Sequence, residues 1–154
     1  MEETYLQKKR RIMGRQFKSE YFGMLKKMTG SSFNENNIVS IVDSDIILDQ
    51  YKDLLLIDKE VFETNNRFEI VTFLEKYLYQ IYSPIFVWIL RSHDCGLYKL
   101  YKITDINWYN IGPVDSNGII SILGDNYKIL LDFYDEDGRN LIEIDIYQTN
   151  PFLT

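Results

Sequence analysis

Residues 127–147 read YKILLDFYDEDGRNLIEIDIY, two runs of alternating apolar and polar residues separated by Asp135-Glu136-Asp137-Gly138. Alternation with period two marks a half-buried strand, and a polar break ending in glycine marks a hairpin. Taken as a four-residue loop with Gly138 in the left-handed position, the break pairs Tyr134 with Arg139 and sets every later pair. Ile129 then faces Ile144, Leu131 faces Ile142 and Tyr127 faces Ile146, so one side of the hairpin is apolar and has to lie against helices. The reverse side sets Lys128 opposite Asp145, Leu130 opposite Glu143 and Asp132 opposite Leu141. Asp132, Tyr134, Glu143, Asp145 and Tyr147 are therefore expected on an open face, with Asp135 and Asp137 in the adjoining turn.

Upstream of this hairpin, Ile85 to Leu90, Leu97 to Ile103 and Ile119 to Leu123 read as further strands, punctuated by Gly96, Gly112-Pro113, Asn117-Gly118 and Gly124-Asp125-Asn126. His93-Asp94-Cys95-Gly96 reads as the turn between the first two. Before Pro84 the period is helical. Asn66 with Glu69 three residues on is a capping signature, and Ile70, Phe73, Leu74, Tyr77, Leu78 and Ile81 follow at helix spacing, which predicts a helix over 66–82. A second amphipathic pattern, Phe17, Tyr21, Met24, Leu25 and Met28, predicts a helix over 16–29 that ends at Gly30. Residues 1–15 extend it or form a basic arm, with Gly14 a weak point. Ile38 to Val42 reads as a short strand, while residues 45–57 suit either a helix or a buried strand.

Helices first and antiparallel strands afterwards is the α+β pattern. The expectation is one antiparallel sheet of about five or six strands, mainly C-terminal, with the N-terminal and central helices packed on one face. A chain of 154 residues has the size of one domain, here 16–154 behind the basic segment 1–15.

Charge is unevenly distributed. Residues 1–30 hold eight Lys and Arg against three acids, and the remainder nine against twenty, so a +5 segment precedes a −11 body. Such a segment binds its own body, an acidic partner or nucleic acid. The acidic body opposes a duplex lying across it, which makes nucleic acid the lesser partner. The longest apolar runs fall far short of the ~20 residues of a membrane span, and no secretory leader is readable after Met1. With one cysteine, the expected setting is the cytoplasm.

Catalytic sets are sparse. Cys95 and His93, the only residues of their types, lie two apart, which is poor geometry for a base-activated thiol and leaves a zinc site two ligands short. Asp135 to Gly138 lacks the spacing of a calcium loop, and no glycine-rich loop carries the lysine that cradles phosphate. Asp132 followed by Glu143-Ile144-Asp145 resembles the metal-binding hairpin of PD-(D/E)xK nucleases over about fourteen residues. Asp145, however, stands where that family has its lysine, so the activating cation is missing. No enzyme class and no cofactor follows.

The expectation is a non-enzymatic protein that binds another protein. In size, charge and lack of a leader the chain is similar to immunity proteins that neutralise bacterial toxins. A basic, nuclease-like partner would meet Asp132, Tyr134, Asp135, Asp137, Glu143, Asp145 and Tyr147. The loop around Trp108 and Tyr109, and the acids Asp43, Asp45 and Asp49, are the other candidate surfaces.

Overall fold

A computed structural model describes residues 2–78, 84–108 and 118–149. Residues 81, 109 and 112–117, on which some of the expectations above fall, lie outside the described residues. Thr4 opens helix α1 (Tyr5–Thr29) with a reciprocal capping box: its hydroxyl accepts from the Gln7 amide, and the Gln7 side chain accepts from the Thr4 amide. The helix therefore starts well before residue 16 and includes the basic run, and it ends at Gly30 as expected.

Gly14 is not a weak point but a crossing point. A Cβ there would lie 2.1 Å from the Asp94 carbonyl oxygen, so glycine is what lets α1 touch the one-turn helix α4 (Ser92–Cys95). The segment read as a turn around His93 and Cys95 is that helix.

Residues 38–42 do not form a strand. Ile38 makes one isolated bridge to Tyr98, and Ser40 then caps helix α2 (Ile41–Asp49) by accepting from the Asp43 amide. The ambiguous stretch that follows holds both structures, α2 and then strand β1 (Leu54–Glu63). Helix α3 (Arg67–Leu78) follows, with the Asn66 carbonyl accepting from the Ile70 amide. Strands β2 (Ile85–Trp88), β3 (Tyr98–Leu100), β4 (Gly118–Gly124), β5 (Tyr127–Glu136) and β6 (Arg139–Thr149) complete one antiparallel sheet in the order β1-β6-β5-β4-β2-β3. Ile103–Asp105, expected at the end of a strand, is a 3-10 turn.

The β5–β6 register is shifted by two from the expected one. Asp137 and Gly138 both take positive φ, 51° and 77°, and form a two-residue turn that pairs Glu136 with Arg139. Such a turn follows the right-handed twist of the strands, which a looser four-residue loop does not enforce. Because side chains alternate with period two, a shift of two leaves each residue on its expected face and changes every partner. Ile129 meets Ile146, Leu131 meets Ile144 and Phe133 meets Ile142; on the reverse side Lys128 meets Tyr147, Leu130 meets Asp145 and Asp132 meets Glu143.

The apolar side forms the core. Ile120, Ile122, Ile129, Leu131, Phe133, Ile142, Ile144 and Ile146 are buried against Tyr21, Met24, Leu25 and Met28 of α1 and Ile70, Phe73 and Leu74 of α3. Both helices cover the same face, so the architecture is α+β with a helix layer on one side. A buried polar knot ties α1 to the segment around α4: the Tyr21 hydroxyl donates to the Gly96 carbonyl at 2.5 Å and lies 3.1 Å from the Ser92 hydroxyl, which accepts from the Ile89 amide. Burial raises the Tyr21 hydroxyl well above its ordinary pKa. No described helix is long and apolar enough to cross a membrane.

Candidate functional site

On the face away from the helices, register sorts the residues into rows. One row runs Ile119, Asp132, Glu143, Val61 across β4, β5, β6 and β1. The next runs Trp88, Ser121, Leu130, Asp145, Lys59, and a third holds Phe86, Leu123, Lys128, Tyr147 and Leu56. The β2–β4 half is mostly aromatic and aliphatic, and the charged residues Lys128, Asp132, Glu143, Asp145 and Lys59 lie on β5, β6 and β1. Ile119 and Val61, at the ends of the first row, are 46% and 44% exposed.

Asp132 and Glu143 stand directly opposite each other, an arrangement that costs stability because like charges repel. Lys59 from β1 brings its Nζ to 3.2 Å from Glu143 Oε1, and this bond raises the lysine pKa. Asp132 makes no ion pair among the described residues. Asp145, next on β6, is only 7% exposed; the Tyr147 hydroxyl reaches its Oδ2 at 3.5 Å, while its Oδ1 has no hydrogen-bond partner. Burial, and then the Glu143 charge, push the Asp145 carboxyl above the ordinary range, and burial followed by the Asp145 charge pushes up the Tyr147 hydroxyl.

The structure brings Asp132, Glu143, Asp145, Tyr134 and Tyr147 to one face and separates Asp135 and Asp137 from them. Asp135 lies inside β5 opposite Asn140 and shares the parity of Phe133, so it belongs to the opposite face; Asp137 lies at the tip of the turn. Asp145 is buried rather than displayed. The acidity is also more local than expected, since Arg139 holds Glu63 at 2.9 Å and Lys128 lies 6.0 Å from the Tyr147 ring centre. The residue missed in the sequence is Lys59. No local pattern marked it: Lys59 lies just past the stretch 45–57 that suited either helix or strand, and some eighty residues before Glu143, with which it pairs.

Of the acids on α2, Asp45 and Asp49 are engaged and Asp43 is exposed. Arg10 clamps Asp45 through both terminal nitrogens, and Gln7 donates to the same carboxylate at 2.9 Å. Arg11 holds Glu3, and Asp49 is paired with Lys52. The basic segment is therefore partly spent on the protein's own acids, which removes Arg10 and Arg11 from the charges open to a phosphate backbone. Trp108 is partly buried against the core, and residue 109 lies outside the described residues.

Cys95 is half-buried on α4, its thiol 3.6 Å from the Gly14 carbonyl that accepts from it. Burial, then the nearby Asp94, pushes this thiol up, the opposite of what activates a nucleophile. His93 contributes its carbonyl, which accepts from Arg10 Nε at 2.8 Å. Among the described residues, no three His, Cys, Asp or Glu side chains converge as metal donors would. No protein-family model, no curated protein and no solved structure matches this chain.

Proposed function

We propose that this chain is a non-enzymatic protein that binds a basic protein partner with the face of its sheet away from α1 and α3 and blocks that partner by occlusion, in the manner of an immunity protein acting on a toxin. The observation that carries the reading is the row Ile119–Asp132–Glu143–Val61. It places two opposed carboxylates between two half-exposed aliphatic side chains on a face that carries neither α1 nor α3. Repulsion between opposed acids is relieved by a cation from outside, and flanking apolar groups exclude water from such a contact. The acids also steer a cationic partner during its approach.

The test is co-expression with the product of the neighbouring gene. The expected result is a one-to-one complex and relief of any toxicity of that product. Absence of both overturns the reading.

A further inference from the structure

Three carboxylates on the face away from the helices, Asp132, Glu143 and the buried Asp145, have the Lys59 ammonium close at hand. In the strand register Lys59 stands opposite Asp145, yet its Nζ is bonded to Glu143 at 3.2 Å. Asp145, 93% buried, is left with an unpartnered Oδ1, and Asp132 is left facing Glu143 with no ion pair among the described residues. Native structures rarely keep a buried acceptor unpaired, and strand neighbours of like charge are disfavoured. Both defects disappear if a second cation joins the row.

We propose that the Asp132–Glu143 pair is the seat of one arginine side chain of a basic protein partner, and that Lys59 passes from Glu143 to Asp145 as that arginine enters. This rests on the reading of the chain as a binder of a basic protein, and names the contact that reading leaves open. A guanidinium presents five donors in a planar fork and bridges two carboxylates at once, whereas an ammonium is a compact point charge. Tyr134 lies two residues from Asp132 on the same face and offers a ring to a flat cation. The Lys59 side chain is 51% exposed, so it is free to swing to its register partner. Ile119 and Val61 close the row at either end.

The test uses the full chain and two synthetic probes, nona-arginine and nona-lysine, with binding read by fluorescence polarisation and side-chain carboxyl carbons read by NMR. Nona-arginine is expected to bind more tightly than nona-lysine and to shift the carboxyl signals of Asp132, Glu143 and Asp145 ahead of all others. Lys59→Met is expected to suppress the Asp145 response while leaving that of Asp132. Asp132→Asn with Glu143→Gln is expected to lower affinity for nona-arginine about tenfold. Asp43→Asn with Asp49→Asn, the same change in net charge, is expected to lower it by less than about twofold.

Equal loss in the two double variants, shifts spread over the acids of the whole chain, equal affinity for the two probes, or no binding of either overturns the proposal. The wild-type NMR readout decides even where a variant misfolds. Because no natural partner enters the assay, its failure is separate from failure of the complex with the neighbouring gene product. A complex that forms without an arginine-selective row keeps the broader reading and discards this one.

Discussion

The Arg10 guanidinium holds the Asp45 carboxylate in a two-pronged grip, Nη1 to Oδ2 at 2.7 Å and Nη2 to Oδ1 at 3.0 Å, and so fastens the basic end of α1 to α2. The grip forms in a partly shielded place, with the side chains 19% and 33% exposed. Bonding by Arg10 lowers the Asp45 pKa, against the opposing effect of burial.

Arg10→Ala is expected to destabilise the protein by about 1 kcal/mol at neutral pH, after allowance for solvent screening at a partly exposed pair. Since the folded-state pKa of Asp45 lies below its unfolded value, this stability is present above the ordinary carboxylate range and is lost as pH falls through the folded pKa. Urea melts of wild type and variant at neutral and strongly acid pH check it: the two should converge in acid.

The same substitution at two glycines of α1 is expected to have opposite signs. Gly23→Ala has nothing within 4 Å and gains the helix propensity of alanine, a stabilisation of about 0.5–1 kcal/mol. Gly14→Ala drives a methyl into the Asp94 carbonyl and is expected to cost about 1–3 kcal/mol in spite of that propensity. Thermal melts of the two variants decide the matter, and a stable Gly14→Ala protein would show that α1 does not press on α4.

Asp145→Asn is expected to stabilise the isolated protein at neutral pH by about 1 kcal/mol, because an amide removes the buried charge. The raised folded-state pKa of Asp145 gives the sign: its penalty is absent below the unfolded carboxylate pKa, grows as pH rises towards the folded value, and is complete above it. The gain should therefore vanish in acid, which paired denaturation curves would reveal.

Charge reversal separates the two faces of β5. Asp132→Lys with Glu143→Lys is expected to slow association with a basic partner about tenfold at low salt, and the difference should shrink at high salt. Asp135→Lys, on the opposite face, is expected to change the rate by less than about twofold. Stopped-flow association at two ionic strengths is the measurement; since the double variant changes net charge twice as much as Asp135→Lys, a logarithmic effect of Asp135→Lys about half that of the double variant would point to net charge in place of the row.

Period two determined which side of β5 and β6 is buried, because alternation survives any shift of register by an even number; Ile129, Leu131, Ile142 and Ile144 lie where their spacing places them. Helix spacing likewise placed Ile70, Phe73 and Leu74 in the core and Tyr21, Met24, Leu25 and Met28 beside them. What faces what was decided in three dimensions. The twist of the hairpin selected a two-residue turn over a four-residue loop, and that choice alone moved Asp132 from Leu141 to Glu143.

Pairing between β1 and β6 joins segments some eighty residues apart and carries no local signal, so the position of Lys59 beside Glu143 was unreadable from the chain. The burial of Asp145 is of the same kind. Its alternation with Ile144 and Ile146 put it on the open face, but the strands and side chains packed around it, contributed from distant parts of the sequence, set how much water reaches it.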